Sequence, residues 1–345
     1  MLKRYLRTVV VLAIAVFLLA LFLRQANLRE VWAEMRNGRA GLVALAVGVT
    51  LLTYVLRALR WQYLLAAIGP TRFATALRAT VIGFALNFLT GRVGEVVRPY
   101  LLARDEGLSA TSAFATIILE RLLDMVAVLV LFAVFLLVFD PRQSPVPVGL
   151  FRDIRVGGLT GGAAGLLALA AVFVLAGDPG RAGRLALRVE HVLPAGAAHS
   201  FSRIVHTFVA GLGAVRQPGR LAVTFLLSFP LWLCISLGIF LITKAFHVQM
   251  PFVGAFVVVT LLVVGVAIPT PAAVGGFEYF YQLAVTRFYS APPDRATAAA
   301  LVLHAVSFLP VTLVGIIFMA RAGMSLGRMR TLAAQAGGPE QEETQ

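Results

Sequence analysis

The sequence predicts an all-α polytopic membrane protein, with six full transmembrane helices plus two broken, re-entrant helical segments. Three observations carry that prediction. The 345 residues are 59% hydrophobic and only 13% charged, whereas soluble domains are roughly half apolar and about a quarter charged. The apolar residues fall in runs long enough to cross about 30 Å of hydrocarbon. The formal net charge of +14 resides almost entirely in arginine, with Lys3 and Lys244 as the two lysines. In a soluble protein such a balance suggests nucleic acid. Between apolar runs it suggests membrane-facing loops and anionic headgroups instead.

The first run, residues 5–23, follows Lys3 and Arg4 but lacks a small-x-small cleavage site before Arg24, so it is expected to remain as a span. Further spans are expected at residues 40–56, 113–139, 156–176, 221–242 and 297–320. Two other apolar runs are interrupted. Residues 76–90 meet Gly91-Arg92-Val93-Gly94-Glu95, and residues 252–268 meet Pro269-Thr270-Pro271 and then Gly275-Gly276. Glycine and proline at that density stop a helix, and irregular backbone at membrane depth must be buried in protein or line a wet cavity. Either segment as a full span is the alternative. Arg181, Arg184 and Arg188 predict a surface-lying amphipathic stretch over residues 181–217, broken at Pro194. Residues 326–345 read as a polar tail without chemistry. With both broken segments returning to the side they left, the basic residues favour cytoplasmic N- and C-termini.

Each half of this topology reads span, span, broken dip, span, with the halves starting on opposite sides. That is the pattern of an inverted repeat, in which paired broken segments flank a transport site. In a chain with 31 glycines, coincidence is the competing explanation.

Charged side chains at bilayer depth cost roughly 2.5–3.5 kcal/mol and are functional candidates by default. Arg92, Glu95 and Arg98 follow Asn87 at three-residue spacing, which places them on one face of a helix. Glu120 and Asp124 lie one turn apart with Arg121 beside them, and Glu278 follows the double glycine. A polar cavity for an anionic headgroup is one reading: Arg92 and Arg98 as forked phosphate ligands, Asn87, Gly91 and Gly94 offering polar and backbone groups. In that reading Glu95, Glu120, Arg121, Asp124 and Glu278 serve as counter-ions or proton carriers, and Pro269, Pro271, Gly275 and Gly276 form a hinge. Internal salt bridges holding the broken segments are the other reading. It predicts lost expression in Arg92→Ala and Glu120→Ala, whereas a transport role predicts folded but inactive variants. Arg57, Arg60 and Trp61 read as interface anchors, with ligand binding as the alternative, and His304 as an interhelical hydrogen-bonder, with a proton relay as the alternative, beside a kinking Pro310.

Several chemistries are excluded by composition. Two lysines at positions 3 and 244 leave no P-loop, and the five histidines form no zinc-protease motif. Gly323-x-Ser325-x-Gly327 has no later histidine to complete a hydrolase triad. The lone Cys234 excludes a disulfide framework. Neither metal nor cofactor is expected.

The runs Asn87-x2-Thr90-Gly91-Arg92-x-Gly94-Glu95-x2-Arg98, Glu120-Arg121-Leu122-x-Asp124 and Pro269-x-Pro271-x3-Gly275-Gly276-x-Glu278, with Arg57-x2-Arg60-Trp61, resemble the lysylphosphatidylglycerol synthase transmembrane-region family. This is the flippase-like membrane domain of multiple peptide resistance factor. The resemblance spans residues 5–325, with Thr90 where the family usually has proline. It implies a flippase-like domain over residues 1–325 in a bacterial inner membrane, standing alone without the aminoacyltransferase domain. It also implies lipids with anionic or glycosylated heads as partners, and a lipid-modifying enzyme alongside. A membrane-embedded transferase and a non-transporting scaffold are the competing functions.

Overall fold

The computed structural model describes residues 2–24, 26–90, 93–144, 146–177 and 218–323, and all regular elements among them are helical. The helices are α1 (Leu2–Leu23), α2 (Leu28–Asn37), α3 (Ala40–Leu65), α4 (Phe73–Thr90), α5 (Gly94–Glu106), α6 (Ala110–Val138), α7 (Val148–Gly177), α8 (Pro218–Ala245), α9 (Gly254–Ala267), α10 (Gly276–Tyr289) and α11 (Pro293–Arg321). The amphipathic stretch expected over residues 181–217 and the polar tail lie outside the described residues.

Five of these helices are long and apolar enough to cross a membrane: α3, α4, α6, α8 and α11. Four coincide with expected spans, whereas α4 is the first leg of an expected broken segment. The expected spans at residues 5–23 and 156–176 fall on the 22-residue α1 and the 30-residue α7. Helix α2 is an addition to the expected elements. Asn27 caps its N-terminus by accepting from Arg29 N–H at 3.1 Å, Val31 is buried, and Trp32 is exposed with the Arg36 guanidinium 5.1 Å from its ring. That combination suits the membrane–water interface.

Both broken segments are helical hairpins. At the base of the first, Arg72 donates to Glu106 at 3.1 Å and Arg78 to Asp105 at 2.5 Å, so the start of α4 lies beside the end of α5. Near its tip the two backbones touch: a Cβ on Gly94 would fall on the carbonyl of Gly83. In the second hairpin, Gly254 at the start of α9 abuts the Tyr289 hydroxyl at the end of α10, and a Cβ on Gly265 would lie 2.6 Å from the carbonyl oxygen of Gly276. Each contact joins glycines eleven positions apart. Small residues matter here because helices in lipid associate through close packing rather than hydrophobic burial.

The two halves, α3–α6 and α8–α11, mirror each other in their packing. Helices α3 and α8 run antiparallel at the centre: Arg39 N–H donates to Ala245 O at 3.1 Å at one end, and Arg220 Nη1 to Tyr63 O at 2.9 Å at the other. Helix α4 packs on α11 while α9 packs on α6, so a leg of each hairpin lies against the last helix of the opposite half. Exchanging the halves exchanges these contacts, and the antiparallel central pair makes the relation an inverted one.

Gly94→Ala should force the α4–α5 backbones apart and destabilise the protein by about 1–3 kcal/mol. Gly161→Ala, on a face of α7 with nothing within 4 Å of the added carbon, should be neutral or slightly stabilising. Thermal unfolding in detergent compares the two.

Candidate functional site

Helix α3 carries Arg57, Arg60 and Trp61 at positions that share one face, and all three are buried. Helix α6 presents Glu120 and Asp124 one turn apart toward the same place, also buried. Arg98 arrives from α5, and Ser228 and Trp232 from α8.

Glu120 is the hub. Its two oxygens accept from Arg98 Nη1 and Nη2, each at 3.2 Å, a bidentate pairing. Arg121 Nη2 donates to Oε1 at 3.0 Å and Arg60 Nη2 lies 3.3 Å away. Asp124 holds the other side. Its Oδ1 accepts from Arg60 Nη1 at 2.5 Å and from the Trp232 indole at 2.9 Å. Arg60 also donates to Ser228 at 2.7 Å. The Arg98 guanidinium stacks 3.9 Å from the centre of the Trp61 ring, and the indole N–H of Trp61 donates to Thr116 at 3.0 Å.

Among the described residues the charges in this cluster do not cancel. Four guanidiniums (Arg57, Arg60, Arg98, Arg121) face two carboxylates, a surplus of two positive charges. Arg57 is the member farthest from a carboxylate. Its nearest carboxylate oxygen, Asp124 Oδ2, is 3.8 Å away, and its buried Nη1 has no hydrogen-bond partner. Its guanidinium instead lies over the rings of Phe84 and Trp232 at 5.0 and 5.9 Å. Arg121 is the opening of the cluster, with 45% of its side chain exposed.

Of the expected site residues, Arg98, Glu120, Arg121 and Asp124 converge here. Gly91 and Arg92 lie outside the described residues. Glu95 does not join: it is exposed on α5 while Arg98 is buried, because three positions along a helix still turn the side chain by about 60°. Gly94 serves backbone contact with Gly83 rather than a ligand. Asn87 sits beside it, its Oδ1 buried without a hydrogen-bond partner and 2.7 Å from where a Gly94 Cβ would be.

Glu278 belongs to a second cluster. Its Oε2 accepts the Gly275 N–H at 2.8 Å, capping α10, and its Oε1 lies 2.6 Å from His304 Nδ1 on α11. Pro269 and Pro271 precede and open the short turn Pro271–Ala273. Gly275, at φ +86°, packs where a Cβ would be 2.9 Å from the Ala15 carbonyl of α1, and Gly276 faces Gly265.

Sequence reasoning missed Arg57 and Arg60 as site members. The available signal was their three-residue spacing next to Trp61, which marks one continuing helical face rather than a frayed end.

The fold and this cluster define a polytopic helical membrane protein with a buried, positively overbalanced ionic site in its first half, bordered by Ser228 and Trp232 of the second. Over residues 8–315 the chain matches the family described as the lysylphosphatidylglycerol synthase transmembrane region, and it belongs to that family. No curated protein matches it.

Removing one partner of a buried ion network strands the others. Glu120→Gln should therefore cost about 3–5 kcal/mol of stability, while Glu95→Gln should stay within about 0.5 kcal/mol. Unfolding midpoints of the two purified variants test this. The same reasoning makes Glu120→Ala unsuitable for separating transport from folding, contrary to the sequence-based expectation.

Proposed function

We propose that the protein moves a lipid with an anionic head between the leaflets of a bacterial inner membrane, without covalent change to the lipid. The observation that carries this reading is the surplus of two positive charges around Glu120 and Asp124, with Arg57 buried and short of partners. A buried, underpaired guanidinium is costly, and a phosphate or carboxylate would supply the missing acceptors. Arg121, half exposed at the edge of the cluster, is the first contact for an entering headgroup, and Arg57 and Arg98 are its inner ligands. Support also comes from the inverted halves, which suit alternating access around a site between them. The family's name ties its members to an aminoacylated phospholipid, and a lipid-modifying enzyme is the natural partner. The basic bias of the inner segments favours cytoplasmic termini.

The test is leaflet exchange of fluorescent phosphatidylglycerol in vesicles, read by dithionite quenching, with mass spectrometry of the recovered lipid. Exchange without mass change supports transport, a product of altered mass supports a transferase, and neither supports a scaffold. Arg57→Gln should lower exchange of the anionic lipid about tenfold or more, the loss of one charge-assisted contact. Its unfolding temperature should hold or rise, since the change removes uncompensated charge. Unaltered exchange in Arg57→Gln would overturn the assignment.

A further inference from the structure

The proposed transport lacks an energy source, and the second buried cluster has the chemistry of one. His304 Nδ1 and Glu278 Oε1 are 2.6 Å apart, both residues buried. His304 Nδ1 makes no aligned hydrogen bond, so a proton taken up there would turn the contact into an ion pair: Glu278⁻ with neutral His304 becomes Glu278⁻ with imidazolium, and the pair changes from one negative charge to none. The surroundings make that change consequential. Phe277, Phe308 and Phe88 close around the imidazole at ring separations of 5.1, 4.8 and 6.1 Å. From α1 and α9 the pair's capping turn meets backbone, the Ala15 carbonyl at Gly275 and Gly265 at Gly276. No other titratable or charged side chain among the described residues pairs with either member.

The pair also sits at a mechanically meaningful place. Glu278 caps the hairpin leg α10, whereas His304 is on α11, so the proton count governs the tether between hairpin and span. The first half has a counterpart: Arg98 on the hairpin leg α5 binds Glu120 on α6. The shift that carries Gly83 and Gly94 onto Gly265 and Gly276 brings Arg98 and Glu120 within one helical turn of Glu278 and His304. Helix α4 connects the two clusters. Phe84 lies 5.0 Å from the Arg57 guanidinium and, one turn on, Phe88 contacts His304.

We propose that Glu278 and His304 form a proton-carrying site that couples lipid movement to a proton gradient. This rests on the transport reading, and the experiment separates the two. The full chain is reconstituted in vesicles of phosphatidylethanolamine and phosphatidylglycerol with a trace of fluorescent phosphatidylglycerol, and a gradient of about one pH unit is imposed. One proton per lipid allows a steady-state leaflet ratio of the probe of up to about tenfold. The wild-type chain should approach that ratio, whereas E278Q and H304Q should give a ratio of about one whatever their exchange rates. The carboxamide introduced by E278Q retains an acceptor for the Gly275 N–H, which keeps the hairpin capped. In parallel, infrared difference spectra between about pH 5 and about pH 8 should show a carboxyl or imidazolium change that both variants lose. Wild-type exchange that ignores the gradient, or variants that follow it, overturns the coupling. A chain that moves no probe defeats the transport reading, and the infrared bands then decide the proton site: bands unchanged by both substitutions overturn it.

Discussion

The arrangement of the first half depends on one buried carboxylate. Glu120 is fully enclosed and holds guanidiniums from three segments: Arg60 on α3, Arg98 on α5 and its own neighbour Arg121. Without it, those charges would face one another across a low-dielectric gap, where like-charge repulsion is strongest. Such a network is a poor way to gain stability, since well-packed apolar side chains of the same volume serve as well or better. Its value is positional. Bidentate geometry at Arg98 fixes the depth and rotation of α5, and the Arg60–Asp124–Trp232 contacts fix α8 against α6.

Hairpins at membrane depth raise a second problem, because lipid supplies neither hydrogen bonds to open turns nor a hydrophobic drive to hold legs together. Both hairpins answer it in the same way. A glycine in each leg lets the backbones meet, and a buried polar pair ties the returning leg to the next span. The chemistry of the tie differs between halves. A guanidinium keeps its charge, so Arg98 with Glu120 is a fixed tie. The tie between His304 and Glu278 is an imidazole–carboxylate contact instead.

Much of this was readable from the chain. Apolar run length located α3, α6, α8 and α11, and glycine and proline density located both hairpins. The arginine pair on α3 is misplaced by a hydropathy window that ends at the first charge, after residue 56, whereas the helix continues to Leu65. Arginine and leucine are good helix formers, and propagation costs little once a span is formed. Glu95 misleads for the opposite reason: spacing alone puts it with Arg98, yet the buried face of α5 is the one holding Val97, Arg98, Leu101 and Leu102. Glu278 was legible as buried and ionisable, but its partner lies on a different helix, and nothing in local spacing joins residue 278 to residue 304.

The charge surplus is where the argument for an external anion rests. Neutralising it from within would require another carboxylate at the arginines, and among the described residues Glu95 and Glu278 do not supply one. Glu95 faces away from Arg98, and Glu278 is engaged by the α10 cap and His304. The guanidinium left shortest of acceptors, Arg57, is also the one backed by two aromatic faces, which stabilise a cation without competing for its N–H groups. On the proposed reading such a cation is free to bind, and the half-exposed Arg121 is where an anion would enter. Full internal pairing would fix the helices equally well but leave no donors for a ligand; the uneven count of four arginines to two acids does both.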